Sequence, residues 1–294
     1  MECLLVSSYE LIDSGGFHKL EQVGPYRIVR PSPQAVWQPR LGADVWDHVD
    51  ARFQRFSGGD GRWHKMNRQL PKSWVVHCEQ MQFEIRLTDF GHLGLFAEQA
   101  TNWGRIRELC RAGSQQHESF QVLNLFGYTG GSTLAAAQGG AHVVHLDASK
   151  TSVAWARDQA ALNDLADKPV RWIVDDAAKF VARERRRGRR YHGIILDPPS
   201  FGRGSKGEVW KIEEHLCELL SDLAAILAED YAFVLLTSHS EGYTPLAMRN
   251  LIDDMVSGVA GRYTCDEMVI PEAGESRRVL PSGASCLFER TSPL

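Results

Sequence analysis

Between Phe120 and Ser238 short apolar runs alternate with helix-length segments, and this alternation limits the fold more than any other feature of the chain. FQVLNLF, AHVVHLD, VRWIVDD, YHGIILD and YAFVLLTS read as strands. GGSTLAAAQGG, SKTSVAWARDQAALNDL, AAKFVARERRRG and EEHLCELLSDLAAILA read as the helices between them, with Ser149 as a possible N-cap. PLAMRNLIDDMVSGV follows as a last helix with Pro245 at its start. Strands separated by helices imply crossover connections and a parallel sheet. Apolar runs such as IILD and FVLLT suit burial on both faces. Two final β-type runs, Tyr263 to Ile270 and Ser285 to Arg290, have no helix pattern between them and predict an antiparallel addition at one edge. The expected class is α/β: a Rossmann-like, doubly wound, mostly parallel seven-stranded sheet with an antiparallel edge strand.

In such a sheet ligands sit beyond the carboxyl ends of the strands. Those ends read LFGYTGGS, Asp147, Asp175–Asp176, DPPSF and TSHSEG, so each strand delivers polar or glycine residues to one rim. Alone, Gly127, Gly130 and Gly131 make an ordinary turn. Asp147 lies about twenty residues further on, where an acid accepts from ribose hydroxyls, and the pair points to a nucleoside cofactor. The G-x-x-G-G spacing is not the G-x-G-x-x-G of a nicotinamide dinucleotide site. S-adenosylmethionine has no phosphate and needs an acid for its ribose and an acceptor for its adenine amino group. Asp176 is placed to be that acceptor, although an Asp–Asp pair also suits a helix N-terminus.

GIILDPPSFGRG, residues 193–204, ends a buried strand in an acid and two prolines. Proline fixes φ and has no N–H, and it pushes the preceding residue toward extended geometry. The segment is therefore a stiff shelf of acceptors. An exocyclic amino group on a base would donate to the Asp197 carboxylate and the Pro198 carbonyl, with Phe201 stacked on the ring. That arrangement favours a near-attack geometry for methyl transfer.

The 294 residues, 43% hydrophobic and 24% charged, suit a globular chain with one large and one smaller domain. No apolar run reaches membrane-span length, and MECLLVSSYELID shows no signal-peptide pattern, so a cytoplasmic location is expected. Six scattered cysteines without a C-x-x-C pair predict reduced thiols, with neither disulfide nor metal site, and Cys217 reads as a core helix residue. A net charge of −4 argues against a general polyanion binder. Basic residues nevertheless gather at Arg62, Lys65, Arg68 and Lys72, at Arg203, Lys206 and Lys211, and in RERRRGRR from Arg183 to Arg190. The last run reads equally as a solvated helix end or as a phosphate-binding patch.

Residues 1–88 are short, punctuated and aromatic. YELIDSGG, YRIVRPSP and WVVHCEQMQFEIRLT look like strands, which predicts a small β-rich or mixed N-terminal domain. Residues 89–118 connect it to the larger domain through a helix that groups Trp103, Ile106, Leu109 and Cys110 on one face. Residues 119–294 form the cofactor-binding domain.

VLNLFGYTGGSTLAAAQGGAHVVHLDASKTSVAWARDQAALN, followed by LDPPSFGRG, resembles the class I S-adenosylmethionine-dependent methyltransferases. Within them it is most similar to the large-subunit ribosomal RNA methyltransferase group that includes cytosine-C5 enzymes. GHLGLFAEQ and the N-terminal YELIDSGGFHKLEQVG…RIVRP extend the resemblance over most of the chain. The resemblance implies a cofactor site made by Phe96, Gln99, Asn124, Phe126, Gly127, Tyr128, Thr129, Gly130, Asp147, Ala148, Ser149, Asp176, Ala177 and Asp197. It implies a substrate face at Asp197, Pro198, Pro199, Ser200 and Phe201, and RNA as partner, held through Arg183–Arg190, Arg203 and Lys206. Relatives that methylate cytosine C5 carry a cysteine just after the fifth strand, because that chemistry needs a thiolate adduct. Here the place reads Ser238, His239, Ser240. Transfer to a nitrogen or an oxygen needs no such adduct, and N-methylation of a ribosomal RNA base is expected rather than C5 methylation. A protein or small-molecule substrate, or a non-catalytic RNA-binding module with a vestigial cofactor site, stand as alternatives.

Overall fold

The computed structural model describes residues 8–56, 60–204, 207–274 and 278–291. Contacts divide the chain into two units: Met1–Ala100 with Val269–Ser282, and Thr101–Met268 with Gly283–Leu294.

In the first unit, β1 (Tyr9–Gly15), β2 (His18–Val23), β3 (Tyr26–Pro31), β4 (Ala51–Arg55) and β5 (Gly61–Lys65) form one sheet in chain order. A short helix, α1 (Ala43–Asp47), precedes β4, which pairs parallel to β3, and the other neighbours are antiparallel. β6 (Ser73–Cys78) and β7 (Met81–Arg86) make a separate hairpin. Two buried acids organise this unit. Glu21 in β2 accepts from Arg30 at 2.6 Å and from the Tyr9 hydroxyl at 2.7 Å, with Lys19 at 3.2 Å. Burial alone would raise its pKa, but Arg30 and Lys19 outweigh burial and hold it at about 2. Asp13 accepts from the backbone N–H groups of Ser14, Arg40 and Leu41, from the Trp46 indole and from Arg278.

Arg278 belongs to the segment that sequence reading had assigned wholly to the domain at 119–294. Residues 269–282 instead group with the first unit. Leu11 bridges to Glu272, the Ala273 N–H donates to the Leu11 carbonyl, and Ile270 and Leu280 pack with Leu11 and Ala35. A hairpin that closes over 250 residues after the strand it meets leaves no local signal.

The second unit opens with α2 (Ala100–Gln116), whose first residue is the last of unit one. It continues through β8 (Gln121–Leu125), α3 (Gly131–Gln138), β9 (His142–Asp147), α4 (Lys150–Leu162), β10 (Val170–Val174), α5 (Ala177–Arg186) and β11 (Gly193–Leu196). A small hairpin of β12 (Phe201–Arg203) and β13 (Val209–Lys211) leads to α6 (Ile212–Ala224), β14 (Phe233–Ser238) and α7 (Pro245–Met255). The last strands are β15 (Gly261–Pro271) and β16 (Val279–Arg290). The sheet order is β10-β9-β8-β11-β14-β16-β15. Its first five strands are parallel and β16 runs antiparallel to β14, so the expected seven-stranded sheet is present. Every residue of β11 and β14 is buried, as helices on both faces require. The chain steps outward from β8 in both directions, through β9 and through β11, which makes the carboxyl ends of these strands the switch point of the sheet.

Two thiol expectations are corrected. Cys265 in β15 and Cys286 in β16 form a disulfide across neighbouring strands. They stand 21 residues apart, and only the strand pairing brings them together. Cys217 is exposed on α6 and is not a core residue, because Leu216, Leu219 and Leu220 take the buried face. No helix among the described residues is long and apolar enough to cross a membrane.

Candidate active site

The loop after β8 is held by its own backbone and by the acid that ends β9. The Gly127 N–H donates to the Leu146 carbonyl, and the Gly130 N–H to the Gly127 carbonyl. Asp147 accepts from the Tyr128 N–H at 2.9 Å and from the Ser149 N–H at 2.8 Å, one on each carboxylate oxygen. Phe126, Tyr128 and Gly130 take φ of 56°, 46° and 93°. Two non-glycine residues in the left-handed region within three positions store about 1–3 kcal/mol each, and such strain gathers at ligand sites. Gly127 admits no side chain: a Cβ there would lie 2.5 Å from the His145 ring. His145 is fully buried, and its Nδ1 meets the Thr133 hydroxyl, which also accepts from Asn124 at 2.8 Å. Burial pushes the imidazole pKa down to about 3 against an opposing backbone hydrogen bond at Tyr128, so the ring is neutral. Asn124 and His145 are thus the buried floor that shapes the loop. Burial pushes the Asp147 carboxyl up, and its two backbone donors pull it down.

One strand over, the two acids divide their work. Asp175 pairs with Arg183 and accepts from the Asp176 N–H. Asp176 caps α5, its Oδ1 accepting from the Lys179 N–H at 2.9 Å. A carboxylate oxygen and a backbone N–H at a helix start make the donor–acceptor pair that an adenine edge matches. Ala148 and Ser149 turn the chain into α4, which Ser149 caps through the Ser152 N–H.

At the end of β11, Asp197 is half-buried, Pro198 buried, and Pro199, Ser200 and Phe201 exposed. The Pro199 carbonyl accepts from the Trp210 indole at 2.7 Å, which removes it from the shelf. Asp197 lies beside it, with His239 as a neighbour. Trp210 also contacts the Phe126 ring at 4.9 Å and so ties the first loop to the β12–β13 hairpin. The end of β14 joins the same place: the Ser200 and Ser240 hydroxyls hydrogen-bond at 2.7 Å, and His239 Nε2 is 3.9 Å from Asp197. Sequence reading had not singled out Trp210, since a tryptophan before a helix reads as core.

Phe96 and Gln99 lie in unit one, at the start and end of the turn Ala97–Gln99, and Gln99 is buried. The arginine run sits at the far end of α5. Crossover helices run back along the sheet, so this end lies beside the strand starts, opposite the rim. Arg185 pairs there with Asp222 at the end of α6, and Arg187 with Glu184. Arg203 is exposed at the rim beside the Phe201 ring, and Lys206 lies outside the described residues.

One group of side chains gathers with metal-ligand chemistry on the strand-start edge: His117, His192 and Asp230. His192 Nδ1 accepts the Gln121 N–H at 2.9 Å. A neutral ring that accepts at Nδ1 carries its proton at Nε2, the atom facing Asp230 at 3.8 Å. No lone pair is then available there for a cation.

The fold and rim define a doubly wound protein with a nucleoside-cofactor site at the switch point of its sheet. The family profile described as S-adenosylmethionine-dependent methyltransferase matches residues 51–232, and the chain belongs to that family. The SAM-dependent methyltransferase from Agrobacterium tumefaciens is 39% identical in its crystal structure. It aligns with a TM-score of 0.90 over 97% of this chain and 91% of that one. The Ribosomal RNA large subunit methyltransferase K/L of Shewanella baltica (strain OS155) is 33% identical over 149 residues, half of this chain and 20% of the relative. Its namesake from Alteromonas mediterranea is 30% identical over 187 residues, 63% of this chain and 25% of the relative. The matched part thus spans a fifth to a quarter of these curated relatives. The residues fit S-adenosylmethionine. Asp147 keeps an acceptor lone pair on each oxygen for a vicinal diol, Asp176 keeps one for an amino group, and Asp147, Asp176 and Asp197 suit a cationic ligand rather than a pyrophosphate.

Proposed function

We propose that the protein methylates a base nitrogen in RNA, ribosomal RNA by analogy with the K/L relatives, in the cytoplasm. S-adenosylmethionine supplies an electrophilic methyl group when bound. Asp147 holds the ribose hydroxyls, Asp176 and the Ala177 N–H hold the adenine edge, and the loop from Phe126 to Gly130 faces the methionine portion. Asp197 and the Pro198 carbonyl accept from the exocyclic amino group, which orients the nitrogen lone pair, and the exposed Phe201 ring stacks on the base. With the cofactor bound, the methyl group would move from its sulfonium sulfur, which keeps the electron pair of the broken S–C bond, to the nitrogen; Asp197 would take the proton the nitrogen then loses, with His239 Nε2, 3.9 Å away, on its route to solvent. Arg203 contacts a neighbouring phosphate.

The observation that carries this reading is the end of β11, where two fixed acceptors and an exposed ring stand beside the β8 loop, with serines and a histidine in place of a thiol at the end of β14. The test is methyl transfer from labelled cofactor to ribosomal RNA, followed by nucleoside mass spectrometry. An N-methylated base is expected from the parent, and Asp197→Ala is expected to lose transfer. A C5-methylated pyrimidine, or label only in protein or small molecules, would overturn it.

A further inference from the structure

We infer that the β-sheet of unit one carries a nucleotide-binding cleft for a single RNA strand, separate from the site that receives the target base. The inference rests on the RNA reading above. The cleft has a volume of about 520 Å³ and is lined by Phe17, His18, Pro31, Arg52, Arg55 and His64 among others. That size lies within the range of about 300–1,000 Å³ usual for small-ligand sites. No carboxylate lines it.

Charge supports an anionic ligand. The buried acids of this unit are already matched by other cations: Glu21 by Lys19 and Arg30, and Asp13 and Glu272 by Arg278. Among the described residues Arg52 and Arg55 form no ion pair. The Arg52 guanidinium donates to the Trp46 carbonyl at 3.1 Å, which fixes it without neutralising it. The His18 ring nitrogen Nδ1 donates to the Gly16 carbonyl at 2.8 Å, which fixes the ring at the cleft. His64 is oriented by Gln54 at 2.9 Å.

Phe17 supplies the second half of the argument. Its backbone is fixed at φ 64°, with its N–H donating to the Ala35 carbonyl and its carbonyl accepting from the Ser32 N–H. A left-handed phenylalanine is strained, and this one gains nothing by burial, since 58% of it stays exposed. A rigid aromatic face beside unpaired guanidiniums and a proline wall matches a base with its phosphate, the pattern by which single strands are held without sequence choice.

Fluorescence polarisation of the full chain with a labelled oligouridylate of about six nucleotides tests this. Phe17→Ala and Arg55→Ala are each expected to weaken binding about tenfold. Arg55→Ala should also lower the slope of log affinity against log salt by about one. Uridine monophosphate should displace the strand far better than uridine. Calorimetry with S-adenosylmethionine should match the parent in both variants, which confirms that they fold. Oligouridylate affinity within twofold of the parent in both variants overturns the inference, as does equal competition by polyglutamate. If ribosomal RNA is still methylated in those cases, the inference alone falls. A parent protein that binds no RNA and methylates none removes both readings.

Discussion

One added carbon at Gly127 tests the loop. An alanine Cβ would stand 2.5 Å from the His145 ring and 3.2 Å from the Asn124 amide, both buried and mutually bonded through Thr133. Neither can retreat, so the loop must move. Gly127→Ala is expected to weaken S-adenosylmethionine binding more than tenfold by calorimetry while lowering stability by about 1–3 kcal/mol. His145 gives a pH signature. Unfolded, the ring takes a proton near its ordinary value of 6.5, whereas the folded ring resists until about 3. Between these values the unfolded state binds more protons, so the neutral ring's contribution is whole above pH 6.5. It falls by up to about 1.4 kcal/mol per unit as pH drops below that. Urea midpoints measured from pH 7 to 5 should decline more steeply in the parent than in His145→Gln. The sequence showed Gly127 and Asp147 by spacing, but His145 and Thr133 were not legible. A histidine inside an apolar strand announces neither its burial nor the hydroxyl it meets.

At the scale of elements, α5 joins stability to ligand binding through one cap. Asp176→Ala should lower stability by about 1 kcal/mol, since a capping acceptor is lost. Asp176→Asn retains a capping oxygen, because asparagine caps as well as aspartate, but turns an NH₂ toward the adenine amino group. We expect its melting temperature to stay close to the parent's and its cofactor affinity to fall about tenfold, two donors then facing each other. Equal affinity would remove Asp176 from the adenine site. The five parallel strands were legible because each is apolar and followed by a helix of the right length. β2 was not, because it carries Glu21 at its centre and reads as polar until Arg30 and Lys19 are seen beside it. β4 and β5 were hidden similarly, with arginine, glutamine and histidine facing outward, and β12 and β13 are three residues each. The disulfide was hidden by pairing, since 21 residues of sequence reveal no register.

At the scale of the whole molecule, the distribution of charge departs from the sequence impression. The arginine run dominates the linear map, yet from Arg185 onward it lies by the strand starts, and Arg183, Arg185 and Arg187 are already paired to carboxylates. Replacing Arg186, Arg189 and Arg190 together by alanine is expected to change KM for ribosomal RNA less than threefold. Arg203→Ala alone should raise it about tenfold and reduce its salt dependence, as loss of a phosphate contact near the reacting base does. Steady-state kinetics at two salt concentrations decide between them. The rim was legible because the chain returns to it five times, whereas the helix ends that carry the arginines point the other way by a topology no short motif encodes. The shared hairpin also fixes an order of assembly. Asp13 and Ser14 precede their partners Arg278 and Glu272 by 265 and 258 positions. The Asp13 carboxylate therefore has no cationic partner until the chain between them has been made, and unit one closes only once residues 269–282 exist.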